Sequence, residues 1–133
     1  MMPAFKPGQK LMTTRVFNRS DIHRGTVIVF YQKEQKISCI KRVAGLPGDT
    51  VLIRDGVLYI NGQPENGGYE KMEDPGIARA PVTLQKDEYF VLGDNRNNSW
   101  DSRKTGPVKY GDIISIIKDS KVAVRPGQDT EEG

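Results

Sequence analysis

Cysteine and histidine are almost absent from this sequence of 133 residues. Cys39 is the one cysteine and His23 the one histidine. A single cysteine excludes an internal disulfide, and the sequence contains no zinc-ligand spacing. A single histidine, placed in a polar turn, also argues against a Ser-His-Asp triad. The sequence therefore predicts neither a metal site nor a cofactor.

Long hydrophobic runs are also missing. The longest apolar stretches, such as 27–30, are far shorter than the ~18 residues that a membrane-spanning helix needs, and no signal peptide is visible. The chain begins abruptly at Met1-Met2-Pro3, and we expect a piece whose N-terminal part has been removed. The net charge is only +3, with cations and acids interleaved, so no nucleic-acid partner is predicted. Weak attraction to an anionic membrane surface is compatible with this charge.

Short stretches of β-branched and aromatic residues, separated by Gly and Pro turns, run through the chain. This pattern predicts an all-β fold, barrel-like or sandwich-like. Asp55-Gly56 has the composition of a type I′ hairpin turn. A single domain is expected over 1–133, with a flexible insertion at 64–81 and a disordered tail at 125–133. The predicted strands are 11–17, 26–31, 37–43, 50–54, 57–60, 82–84, 89–92, 111–117 and 121–124.

Two stretches carry the residues of chemical interest. The first is 41–49, which starts with Lys41 at the end of an apolar strand and then turns at Gly45, Pro47 and Gly48. A lysine in a strand is ordinarily solvated, but burial would lower its pKa and make the neutral amine a usable base. The second stretch, 93–103, would by itself be interpreted as a surface turn rich in Asp and Asn.

Together the two stretches resemble two sequence boxes of the bacterial type I signal peptidases. These are membrane-anchored Ser-Lys endopeptidases that remove signal peptides from exported proteins. The resemblance implies a mainly antiparallel β core with a small β insertion at about 53–85. It also implies that Lys41 is the general base and that Ser99 orients the lysine amine. The implied structural support comes from Arg42, Asp94, Asp101 and Arg103. The last two would share one face if the segment is a strand, an irregular segment being the alternative, and the resemblance implies that they form an ion pair.

The resemblance also implies how a substrate would bind. The extended end of a signal peptide would pair with exposed strand edges, and its small side chains would enter shallow pockets. For Leu11 and Val29, ordinary core packing is an equally good interpretation. Cys39 should share the face of Lys41, which leaves a catalytic thiol as a minor alternative. The substrate-binding residues implied by the resemblance are Met1, Phe5, Leu11, Val29, Ser38, Cys39 and Ile40.

The nucleophile is the departure from the family pattern. The family's serine box reads Ser-Met-x-Pro-Thr-Leu, and Met1-Met2-Pro3-Ala4-Phe5 matches it from the methionine onward. The serine would therefore precede Met1, and the chain as given should not hydrolyse peptides by the Ser-Lys route. Either the sequence is cut just after the serine or the protein is a homologue that has lost it.

These observations lead to one principal function and two alternatives. The principal function is cleavage of exported preproteins after small-x-small sites, at the outer face of the bacterial cytoplasmic membrane. The anchor would be a transmembrane segment absent from this chain. One alternative is a non-catalytic, signal-peptidase-like assembly or chaperone factor for surface proteins. A self-cleaving repressor of the Ser-Lys type is disfavoured, because no DNA-binding region is present.

Overall fold

A computed structural model describes residues 17–65 and 67–117, together with the backbone of Thr13–Thr14. Met1, Phe5 and Leu11, the predicted strand 121–124 and the tail 125–133 lie outside these residues. The strands of the described part are β1 (Thr13–Thr14), β2 (Val27–Gln32), β3 (Ile37–Gly45), β4 (Thr50–Arg54), β5 (Val57–Ile60), β6 (Gln63–Pro64), β7 (Val82–Thr83), β8 (Glu88–Leu92), β9 (Val108–Lys109) and β10 (Ile113–Ile117). The helical pieces are one α-helix, α1 (Ser102–Thr105), and three 3₁₀ turns at Arg19–Asp21, Gly76–Arg79 and Tyr110–Asp112.

The strands form two antiparallel sheets. The first has six strands in the order β1-β10-β2-β3-β8-β9, and the second has four in the order β6-β5-β4-β7. Every strand pair of the described part is antiparallel. The prediction of a mainly antiparallel all-β fold is therefore confirmed. The predicted strand 82–84 contributes Val82 and Thr83 to the second sheet, where both pair with β4.

The turn chemistry sets the register of the second sheet. Asp55 and Gly56 both have positive φ (52° and 79°), as a type I′ turn requires, and they join β4 to β5. Asn61 and Gly62 repeat the pattern, with φ of 52° and 83°, between β5 and β6. Both dipeptides tolerate this left-handed backbone, so the hairpins are specified locally by the sequence.

β8 lies at the meeting of the two sheets and is buried on both faces. Tyr89 and Val91 belong to the core of the first sheet, and Phe90 and Leu92 belong to the core under the second. This split follows from the two-residue period of a strand. β3 reaches the same junction through Gly45, where an added Cβ would lie 2.9 Å from Leu84 Cδ1. Glycine at this position lets β3 leave the first sheet and turn into β4.

Candidate active site

Lys41 lies on the core-facing side of β3. Cys39, Lys41 and Val43 are two residues apart and therefore point to that same face, and Lys41 is only 1% exposed. Its direct neighbour on the adjacent strand β2 is Ile28, which is fully buried. The Lys41 side chain therefore runs through apolar surroundings, as the sequence predicts.

Ser99 meets the amine of Lys41. Lys41 Nζ donates a hydrogen bond to Ser99 Oγ at 3.1 Å, although 58 residues separate the two in sequence. A hydroxyl is both donor and acceptor, so the same contact would allow Ser99 to donate to the amine once lysine is neutral. The fold thus brings together the two residues for which the sequence predicts a catalytic role.

Asp101 fixes the loop that carries Ser99. It is the N-cap of α1, and its Oδ1 accepts the Arg103 N–H at 3.1 Å. Its Oδ2 accepts the Gly93 N–H, also at 3.1 Å, which ties the end of the loop back to its beginning. Arg103 Nε and Nη2 each donate to this carboxylate at 2.9 Å. Asp101 is 2% exposed and Arg103 5%, so the ion pair is buried.

The predicted ion pair is therefore present, but the expected strand geometry is wrong. Asp101 precedes a helical turn and Arg103 is the second residue of that turn. The carboxylate caps the turn while its neighbour's guanidinium folds back on it. The side chains meet through the local interactions of an N-cap rather than by alternation along a strand.

Arg42 and Asp94 form a second pair on the other side of β3. Arg42 Nε and Nη2 donate to the two carboxylate oxygens of Asp94 at 3.0 and 3.1 Å, and Nη1 donates to the Gly25 carbonyl at 2.8 Å. Asp94 is completely buried. Because Arg42 follows Lys41 in the chain, this pair connects the strand that carries Lys41 to the start of the loop that carries Ser99.

The residues predicted to bind substrate are divided between the two faces of the sheet. Val29 and Ile40 are direct neighbours across β2 and β3, half-buried on the face opposite to Lys41. Ser38 is exposed, whereas Cys39 is 6% exposed and belongs to the core of the first sheet. The pairing of β3 with β8 begins only at Arg42, beyond this stretch. The role of these residues in substrate binding stays a prediction.

The sequence analysis did not predict that Asp49 holds several distant segments together through its carboxylate. Its carboxylate accepts two hydrogen bonds from Arg24, at 3.0 and 2.7 Å, one from Asn61 Nδ2 and one from the Leu46 N–H. Burial acts to raise the pKa of this carboxyl, but these hydrogen bonds and the charge of Arg24 outweigh it, so the pKa is lowered. The motif 45–49 predicted that Asp49 ends a turn, but nothing in it indicated that Arg24 and Asn61 would bind its carboxylate.

Arg96 was also missed. It is 2% exposed, and its Nη1 and Nη2 donate to the two carboxylate oxygens of Glu65 at 2.8 and 3.1 Å. Its guanidinium carbon lies 3.7 Å from the ring centroid of Tyr69. Both partners come from the segment that the sequence predicts to be a flexible insertion, and no local pattern links them to Arg96.

The described residues thus combine a mainly antiparallel β fold with a buried lysine amine that contacts a serine hydroxyl. The family model "Signal peptidase, peptidase S26" matches residues 1–119. This chain therefore belongs to the signal peptidase family, and its relatives support a serine protease of the signal peptidase I type.

Individual relatives agree. Signal peptidase I V of Bacillus subtilis is 32% identical over 91% of this chain and 80% of its own length. Signal peptidase I of Leptolyngbya laminosa is 37% identical over 86% of this chain and 60% of its own length. The crystal structure of a signal peptidase I from Enterococcus faecalis superposes with a TM-score of 0.58 at 32% identity, covering 71% of this chain and 94% of that one. These comparisons give no support to the assembly-factor alternative.

Proposed function

We propose that this chain is the catalytic part of an enzyme that removes signal peptides after small-x-small sites by a Ser-Lys mechanism. The observation that carries the proposal is the position of the Lys41 amine, 1% exposed and 3.1 Å from Ser99 Oγ, in a member of the signal peptidase family. A serine hydroxyl needs a base to remove its proton, and a buried lysine provides one.

In this mechanism the nucleophile is a serine that precedes Met1. Lys41 Nζ takes the proton of the serine Oγ as that oxygen attacks the scissile carbonyl carbon. The protonated amine then gives its proton to the departing amino group of the mature protein, which leaves an acyl-enzyme. Lys41 next removes a proton from water as the water oxygen attacks the acyl carbonyl carbon. The protonated amine then gives that proton to the serine Oγ as the ester bond breaks, which restores the serine hydroxyl and the neutral amine and releases the signal peptide with a free carboxyl group. The hydroxyl of Ser99 holds the amine in position through both steps.

The partners of this enzyme would be the extended ends of signal peptides and a membrane surface. The β3 stretch 38–40, before the pairing with β8 begins, suits the addition of a peptide strand. Trp100 directly follows Ser99 and is 42% exposed, and tryptophan is favoured at membrane–water interfaces. In the described part of the chain, no helix has both the length and the apolar character needed to cross a bilayer. We place the enzyme at the outer face of the cytoplasmic membrane, held by an anchor outside this sequence.

The decisive experiment extends the chain upstream of Met1 with its native residues. The extended protein should cleave a peptide with a small-x-small site, whereas the chain as given should not. Lys41→Ala should reduce cleavage by about 10²-fold or more, because general-base catalysis alone contributes that much. Replacing the upstream serine by alanine removes the nucleophile and should reduce cleavage at least as strongly. Retention of full activity in Lys41→Ala would refute the mechanism. A native upstream residue with no nucleophilic group would refute the proposed reaction itself.

A further inference from the structure

The segment that follows β6 is attached to the second sheet. We call residues 65 and 67–74 the strap. The Glu65 N–H donates to the Leu58 carbonyl at 2.8 Å, and the Met72 N–H donates to the Gly56 carbonyl at 2.9 Å. Met72 is 5% exposed and belongs to the core under the second sheet. Gly56 permits the close approach, because an added Cβ there would lie 2.7 Å from Lys71 Cβ. The strap is thus fixed to the second sheet near both of its ends.

From this base the strap contacts the turn that leads to Ser99. Arg96, three residues before Ser99, is held by the carboxylate of Glu65 and the ring of Tyr69. Asn97, two residues before Ser99, donates from Nδ2 to the Lys71 carbonyl at 3.0 Å and accepts the Glu73 N–H on Oδ1 at 2.9 Å. Four separate interactions therefore connect the strap to two consecutive residues of this turn.

A further contact joins the same turn to the buried ion pair. Arg103 Nη2 donates to the Arg96 carbonyl at 2.5 Å, and Arg103 Nη1 donates to the Asp74 carbonyl at 3.2 Å. Arg96 is therefore held through its side chain by the strap and through its carbonyl by Arg103. Since Ser99 lies between Arg96 and Asp101, both ends of the short stretch that carries the hydroxyl are fixed.

We propose that the strap is a positioning element for catalysis, in which Glu65 and Tyr69 hold Arg96 and thereby fix the Ser99 hydroxyl on Lys41. The inference rests on the proposed Ser-Lys function and adds to it residues outside the two motif stretches. Neither Glu65 nor Tyr69 touches the reacting atoms in this arrangement. They act through Arg96 and Ser99, so they are positioning residues rather than catalytic ones.

The burial of Arg96 explains why its partners matter. A buried charge is tolerated only when it is paired and hydrogen-bonded. Among the described residues, Arg96 Nε is the one buried side-chain nitrogen or oxygen without a hydrogen-bond partner. The guanidinium therefore depends on Glu65 and on the face of Tyr69. When either is lost, we expect Arg96 to turn towards water and the Ser99 turn to move with it.

The test uses three variants and two controls. Glu65→Gln removes the charge while keeping the shape of the side chain, and Tyr69→Ala removes the ring. Asn97→Ala removes both side-chain hydrogen bonds of Asn97, and because this side chain is exposed the variant should still fold. Tyr69→Phe keeps the ring under Arg96. Glu88→Gln removes one charge from the ion pair with Lys109, which lies on β8 and β9 rather than on the strap. Each is made both in the chain as given and in the chain extended upstream.

The first measurement is NMR titration of the Lys41 amine in the chain as given, which requires no activity. If the strap holds Ser99 on Lys41, its loss admits water to the amine and raises the midpoint. We expect an increase of about half a pH unit or more in the three variants, because desolvation governs the pKa of a buried lysine. Tyr69→Phe and Glu88→Gln should titrate like the wild type.

The second measurement is the pH profile of cleavage by the extended chain. The rising limb should shift to higher pH by the same amount, and kcat should fall on the order of tenfold while KM changes little, as misplacement of a catalytic group predicts. Unchanged midpoints and an unchanged profile in all three variants would overturn the inference while leaving the Ser-Lys function intact. If the extended wild type does not cleave, the proposed function fails, and the titration still decides whether the strap controls the amine.

Discussion

Removing the Asp101 carboxylate should destabilise this protein far more than removing an exposed acid. Asp101 accepts four hydrogen bonds, two from the Arg103 side chain, one from the Arg103 N–H and one from the Gly93 N–H. In Asp101→Ala the guanidinium of Arg103, 5% exposed, keeps only the carbonyls of Arg96 and Asp74. A buried cation then lies without its buried counter-charge, and α1 loses its N-cap.

The magnitude follows from the buried pair. Removing one partner of such a buried pair lowers the free energy of unfolding by ~3–5 kcal/mol, because the remaining charge is left uncompensated. The lost cap, about 1 kcal/mol by itself, belongs to the same network and is not simply added. At roughly 4 °C per kcal/mol for a domain of this size, Tm should fall by about 10–20 °C.

Thermal and urea unfolding followed by circular dichroism would measure the change. Glu88→Ala is the control, because Lys109, the ion-pair partner of Glu88, is 60% exposed and the pair should contribute no more than ~1 kcal/mol. This variant also removes one hydrogen bond, from the Gln85 N–H to Glu88 Oε1. The double variant Asp101→Ala/Arg103→Met removes the orphaned cation and should recover part of the loss. If Asp101→Ala shifted Tm no more than Glu88→Ala does, the view that this pair supports the Ser99 loop would be refuted.

Two further predictions concern titration. The pKa of the Lys41 amine should lie well below the ~10.4 of a free lysine because the side chain is 1% exposed. NMR titration measures it directly, and an unshifted value in the extended protein would contradict its role as a base. The folded-state pKa of Asp49 is lowered, so its contribution to stability is complete above the unfolded pKa of ~3.9 and is lost as the pH falls through the folded value. In urea unfolding, Asp49→Asn should therefore destabilise at pH 7, and the loss should become smaller as the pH falls below ~3.9. A loss that stays the same across this pH range would refute the assignment.

Local patterns predicted many strands of both sheets and the hairpin turn between β4 and β5. Asp55-Gly56 adopts the type I′ turn because only a few residue types accept positive φ at both central positions. Lys41 is buried because it shares a strand face with Cys39 and Val43, and alternation along a strand is readable from sequence. These features depend on residues close together in the chain, and the sequence therefore contains the information.

Contacts between distant segments could not be derived in this way. Nothing near Glu65 indicates that it binds Arg96, and the contact forms only when the strap crosses the Ser99 turn. The expected strand geometry of Asp101 and Arg103 was wrong for a related reason. A spacing of two residues fits a strand face, yet an aspartate followed by a short helical turn also brings the two side chains together.

The burial of β8 on both faces has a consequence for how the protein unfolds. Tyr89 and Val91 complete one core while Phe90 and Leu92 complete the other, so neither sheet keeps an intact interior without this strand. Separating the sheets would expose two apolar surfaces at once, and we expect them to open as one cooperative unit. Changes in the length of the inserted segment are therefore best accommodated away from the shared strand and outside the strap.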